Sequence, residues 1–193
     1  MPRADKESNK FGVIVLTAGT NRVLCHDRRA TRALPRTRSS SEEDYVGDLS
    51  PHFSRAEFAC RCCGELKIEP TLLEGLELLR SLAGRPIVVH DGYRCEGHNQ
   101  EVGGVTDSEH TRGLAADIAI PSLSLQEMYE LALQVPAFRN GGIGAYDSNF
   151  LHLDVRAEQA RWARVRGEYV GIQHLVATPA VLLAKVQTGS QQA

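Results

Sequence analysis

Phe150 to Val155 reads FLHLDV, and its alternation is strict. Side chains on a strand point to opposite faces in turn, so Leu151, Leu153 and Val155 share one face while Phe150, His152 and Asp154 share the other. The first face is uniformly aliphatic and belongs to a core. The second presents an imidazole and a carboxylate side by side, so it faces a cleft. A histidine there is either a hydrogen-bonded structural residue or a ligand, and the carboxylate beside it favours the ligand.

Outward from this strand, Leu114 to Ile120 (LAADIAI) reads as a second strand and Pro86 to His90 (PIVVH), rich in β-branched residues, as a buried third. Ser54 with Glu57 is a capping box that opens a short helix through Phe58, and Ser124 with Glu127 opens another that Pro136 stops. Pro70 begins a longer helix, with Leu72, Leu73, Leu76, Leu79 and Leu82 at helical spacing and Gly84 placed to end it. After Arg156 the pattern weakens, although Thr178 to Val186 fits a terminal helix. Helices mixed with short strands, without a βαβ rhythm, predict an α+β fold. Arg28 to Arg38 is basic and Ser39 to Asp44 (SSSEED) is polar and acidic, so nothing before Asp48 can build a core. The expected organisation is a disordered leader over 1–48, one domain over 49–170 and a tail over 171–193 that is helical in part.

Composition narrows the function classes. The chain has 193 residues, 42% of them hydrophobic and 24% charged, which suits one globular domain. A formal net charge of -2 supplies no field for nucleic acid or an anionic membrane surface. Phe11 to Leu16 (FGVIVL) is too short to span a bilayer. Asp5 and Glu7 interrupt what would be a basic leader and no A-x-A-like site follows, so no signal peptide is read. Cytoplasmic synthesis, with access to any external substrate by lysis or another export route, is the expectation. Five cysteines are present: Cys25 alone, the run Cys60, Cys62 and Cys63, and Cys95. Their spacing is neither a regular disulfide framework nor a paired C-x-x-C module.

The chemistry gathers in Ser108 to Asp117, SEHTRGLAAD. His110 lies in a polar turn relaxed by Gly113, and Asp117 lies inside an apolar strand. Such a carboxylate either points to solvent from a half-exposed strand or is neutralised by a cation, because burying it unpaired is costly. Two imidazoles and a carboxylate, His110, Asp117 and His152, are a donor set for a tetrahedral zinc with one corner open. Asp91 to Asn99 (DGYRCEGHN) follows the PIVVH strand and puts Arg94 where functional side chains collect. Its guanidinium either grips a carboxylate or carbonyl of a substrate or makes an ordinary surface ion pair.

Together these pieces resemble the zinc D-Ala-D-Ala carboxypeptidase family, which shares its fold with the hedgehog signalling domain and with phage cell-wall endopeptidases. The motif S-x-H-x-x-G-x-A-x-D is matched by Ser108, His110, Gly113, Ala115 and Asp117, and G-Y-R by Gly92, Tyr93 and Arg94. GGIGAYDSNFLHLDVR is similar to the family's closing segment, whose ligand falls on His152, and the likeness covers roughly 50–167. The resemblance implies a small antiparallel sheet flanked by helices and one zinc per chain. It implies a monomer acting on peptidoglycan peptides that contain D-amino acids, as a carboxypeptidase or an endopeptidase, with no nucleic-acid or membrane partner. A zinc-bearing binding module without catalysis is the alternative. Arg94, Ser108 and Tyr93 are the expected substrate contacts, with Arg94 also steadying the oxyanion. Relatives carry a general base three, two or five positions before the last ligand, where this chain has Asn149, Phe150 and Asp147. Asp154 is therefore the first choice for the base, since it shares a strand face with His152, and Asp147 the second. The other role open to Asp154 is to orient a ligand histidine or to pair with Arg94. The resemblance also implies that Cys95 lies near the Cys60 run. One disulfide clamping the Ser54 helix to the Arg94 loop is expected, with a zinc knuckle as the lesser alternative.

Overall fold

The computed structural model describes residues 47–177. The expected leader, apart from Gly47 and Asp48, and the expected Thr178 to Val186 helix lie outside the described residues. In chain order the elements are α1 (Arg55–Phe58), α2 (Pro70–Ala83), β1 (Val88–Asp91), α3 (Glu96–Glu101), α4 (Glu109–Arg112), β2 (Ala115–Ala119) and α5 (Leu125–Ala132). They continue with α6 (Pro136–Asn140), β3 (Gly142–Tyr146), β4 (Phe150–Asp154), β5 (Ala160–Val165), β6 (Glu168–Val170) and a 3-10 turn at Ile172–His174. Among the described residues no helix is long and apolar enough to cross a membrane.

The local signals act as their chemistry demands. Both capping boxes form, with Glu57 and Glu127 reaching back to the backbone N–H groups of Ser54 and Ser124. α2 starts on Pro70 and ends on Gly84, whose left-handed φ of 59° lets its N–H close onto the Arg80 carbonyl. Pro136 does more than stop α5. It occupies the first position of α6, where its missing N–H costs nothing.

The six strands form one sheet in the order β1-β2-β4-β3-β5-β6. Every pairing is antiparallel except β3 with β5, so the sheet is mixed, and the α+β architecture stands. One face carries Ala116, Ile118, Ile143, Ala145, Leu151, Leu153 and Ala163, all buried. It packs with Leu72, Leu76, Leu79, Met128, Tyr129 and Phe138 of α2, α5 and α6 in one apolar core. Order runs past the expected boundary at 170. Ile172 and Val176 join the core, and Ala177 exchanges hydrogen bonds of 2.6 and 3.2 Å with the Gln126 side chain.

With helices filling one face, Asp117, His152, Trp162 and Arg164 stand on the other. Leu151 lies fully buried between the layers. Leu151→Ala should lower unfolding free energy by about 2–5 kcal/mol, read from denaturant midpoints at constant slope.

Candidate metal centre

Register assembles the site. Asp117 on β2 lies directly opposite His152 on β4, which lies opposite Gly144 on β3, which in turn lies opposite Trp162 on β5. Directly opposed residues share a face, so these four form one row across the open face of the sheet. His110 enters from above, on the one-turn helix α4, which Gly113 ends in the left-handed conformation. The expected polar turn is therefore a short helix.

Three atoms able to ligate a metal converge there. His110 Nε2 stands 3.2 Å from Asp117 Oδ1 and 3.0 Å from His152 Nδ1, and the last two are 2.9 Å apart. The outer ring nitrogens are spoken for. His110 Nδ1 lies 2.6 Å from the Gly92 carbonyl oxygen and His152 Nε2 lies 3.1 Å from Asp154 Oδ2. A carbonyl and a carboxylate only accept, so both outer nitrogens carry the proton and the inner ones, in the neutral rings, present lone pairs. Two imidazole lone pairs and a carboxylate oxygen at about 3 Å need a cation between them. The edge of a tetrahedron with zinc bonds of about 2.0–2.1 Å is about 3.3 Å, so a metal of that size fits the triangle with little adjustment.

Ionisation shifts follow the same logic. Burial opposes charge on Asp117, yet the two imidazoles hold its carboxyl far below the usual range. Burial likewise opposes a proton on His152, but Asp117 and Asp154 on its two sides push it up to about 9. The pocket attracts a positive charge whatever supplies it.

Asp154 sits behind His152, not beside the open corner. It is fully buried, and its carboxylate accepts from the Gly142 N–H at 2.9 Å, the Arg156 N–H at 3.1 Å and the Arg156 Nε at 2.8 Å. Burial raises its pKa, but His152 and Arg156 outweigh that and keep the carboxyl well below the usual range. Gly142 permits this packing, because a Cβ there would stand 2.2 Å from the Asp154 carboxylate. Asp147 is exposed and accepts from the Arg166 N–H at 2.7 Å, in the turn between β5 and β6. Neither carboxylate expected to be the base lines the cavity.

That cavity, about 510 Å3, opens over the three ligand atoms. Arg94 and Ser108 line it as expected; Tyr93 does not, being buried beneath the Lys67 ammonium. Arg94 Nε is 3.1 Å from Asp91 Oδ2 without the angle of a hydrogen bond, Nη1 donates to Asn99 Oδ1 at 3.2 Å, and Nη2 is 3.9 Å from Asp117 Oδ2. The sequence reading missed Tyr146, Trp162, Arg164 and Tyr169, which add aromatic and basic groups to the cavity lining. Burial pushes the Tyr146 hydroxyl up to about 12, so it stays neutral and able to donate. Alternation along Ala160–Val165 would have put Trp162 and Arg164 on one face, had a strand been read there.

A family model described as Peptidase M15 matches residues 51–154, more than half of the chain, and the match encloses His110, Asp117, His152 and Arg94. This chain belongs to the Peptidase M15 family. The resemblance read from the motifs is thereby borne out. Among curated M15 relatives, the peptidoglycan L,D-endopeptidase MepK of Escherichia coli K12 is 36% identical over 95 residues, 45% of this chain and 50% of that protein. MepK of Escherichia coli O157:H7 and of Shigella flexneri match with the same figures. The chain thus spans about half the length of the curated relatives it matches.

If Asp154 holds the His152 ring, Asp154→Asn should weaken metal binding by about 10–100-fold, measured by competition with a chromogenic chelator. A variant that keeps its metal affinity and loses only turnover would return Asp154 to the role of base.

Proposed function

We propose that this chain is a zinc-dependent peptidase that hydrolyses peptide bonds of peptidoglycan, with His110, Asp117 and His152 holding the metal. The observation that carries the reading is the set of three electron-pair donors aimed at one point in the floor of an open cavity. Zinc supplies a Lewis acid for the scissile carbonyl and water acidified towards neutrality when bound. The membership in Peptidase M15 and the peptidoglycan L,D-endopeptidase activity of MepK support the substrate class, and MepK favours an endopeptidase over a D-Ala-D-Ala carboxypeptidase. The catalytically inactive module is not favoured by these relatives.

The chain's own residues divide the remaining work. Arg94, held by Asp91 and Asn99 at the cavity wall, is placed to bind a peptide carbonyl or carboxylate and to steady charge developing on oxygen. Ser108 and the neutral Tyr146 hydroxyl offer hydrogen bonds to the peptide backbone. Asp154 and Gly92 fix which nitrogen each histidine turns inward. Four carboxylates line the cavity: Asp91, Asp107, Glu109 and Asp117. Asp117 belongs to the metal set and Asp91 is paired with Arg94, while Glu109 is buried next to His110 and paired with the exposed Arg112 at 3.0 Å. Glu109 takes over from Asp154 and Asp147 as the proton acceptor in this reading.

Purified protein should release soluble peptide fragments from sacculi, lose that activity with a chelator and regain it with added zinc. His152→Ala should abolish both metal retention at the His110–Asp117–His152 site and release of fragments. Glu109→Gln should keep the metal and lower turnover by about 100-fold or more. A well-folded, zinc-loaded protein that leaves sacculi intact contradicts the reading.

A further inference from the structure

A second cluster of ligating atoms lies apart from the cavity. Cys60, Cys62 and Cys63, in the loop after α1, and Cys95, the residue preceding α3, bring their sulfurs within 4.8 Å of one another. We propose that these four cysteines form a second zinc site, a tetrathiolate that is structural and ties the Arg94 loop to α1.

Several observations support four thiolates around one ion over a disulfide. Cys60 Sγ is 3.5 Å from Cys62 Sγ, and Cys62 Sγ is 3.3 Å from Cys95 Sγ, whereas an S–S bond needs about 2.05 Å. A zinc tetrathiolate with bonds of about 2.3 Å has sulfur–sulfur edges of about 3.8 Å, between those separations and the outer bound of the cluster. A single disulfide would engage two of the sulfurs and leave the convergence of the others without a purpose. Backbone N–H groups already point at sulfur. Cys95 N–H donates to Cys60 Sγ and His98 N–H to Cys95 Sγ, both at 3.4 Å, the kind of contact that stabilises a ligating thiolate. The loop is closed for the purpose by Gly64 N–H onto the Cys60 carbonyl and Cys60 N–H onto the Glu65 carbonyl, each at 2.8 Å.

The position gives the ion a task. Tyr93 N–H bonds the Phe58 carbonyl at 2.8 Å, Arg94 N–H bonds the His110 carbonyl at 3.1 Å, and the Gly92 carbonyl orients the His110 ring. The segment from Gly92 to Cys95 is thus stitched to α1 on one side and to the first metal ligand on the other. Four metal–sulfur bonds at its end hold Arg94 against Asp91 and Asn99.

Full-length protein made in zinc-supplemented medium and purified under reducing conditions tests this by elemental analysis. Wild type should hold two zinc ions per chain, His152→Ala one, and the double variant Cys62→Ser/Cys95→Ser one. Cobalt loaded into His152→Ala should give intense sulfur-to-cobalt charge-transfer absorption, a readout that does not depend on the cysteine variant folding. Loss of all zinc from His152→Ala, or cobalt spectra of that variant without the charge-transfer band, overturns the proposal, as does mass mapping that finds these cysteines joined in a disulfide. None of these arms measures hydrolysis, so failure here is distinct from failure to digest sacculi.

Discussion

Three electron pairs with no proton between them govern this structure. Gly92 and Asp154 each take the outer proton of a histidine, which turns His110 Nε2 and His152 Nδ1 inward upon Asp117 Oδ1. The arrangement is repulsive until a cation enters, and Asp117 and Asp154 raise the His152 pKa from its two sides. Much of the surrounding fold serves that triangle. The β2–β4 register sets Asp117 opposite His152, the glycine at 142 admits Asp154 behind the ring, and Arg156 clasps Asp154 from outside. Outward from the centre stand imidazole, carboxylate and guanidinium, in His152, Asp154 and Arg156.

The sheet divides labour by the pleat. Its inner face packs an aliphatic layer against α2, α5 and α6, with Arg161 capping carbonyls of α6, and its outer face carries the row from Asp117 to Trp162. A strand buried on one side and functional on the other holds its side chains more firmly than a loop does. That firmness matters because metal–ligand distances must hold to within about 0.2 Å.

FLHLDV and LAADIAI were legible because two-residue alternation is the direct print of a strand with unlike faces. Alternation assigns a face but not a direction along it. His152 lies between Asp117, across the sheet, and Asp154, two residues along the strand, and its ring nitrogens point opposite ways. Sharing a face with Asp154 therefore did not mean sharing a cavity with it. GGIGAY was not read as a separate strand because glycine has little β propensity, and its glycines make sense only against Asp154 and Trp162. ARWARV hid β5 behind its arginines, and with it the wall formed by Trp162 and Arg164. The four sulfurs meet across more than thirty residues of chain, a closeness that irregular spacing conceals.

The central claim concerns which atoms hold the metal. An anomalous difference map collected across the zinc absorption edge, from crystals of the full chain, addresses it directly. The account predicts a peak within about 2.0–2.2 Å of His110 Nε2, Asp117 Oδ and His152 Nδ1, with the His152 Nε2–H still on Asp154. A zinc peak bound through His152 Nε2, or zinc-soaked crystals with no peak between these three residues, would contradict it.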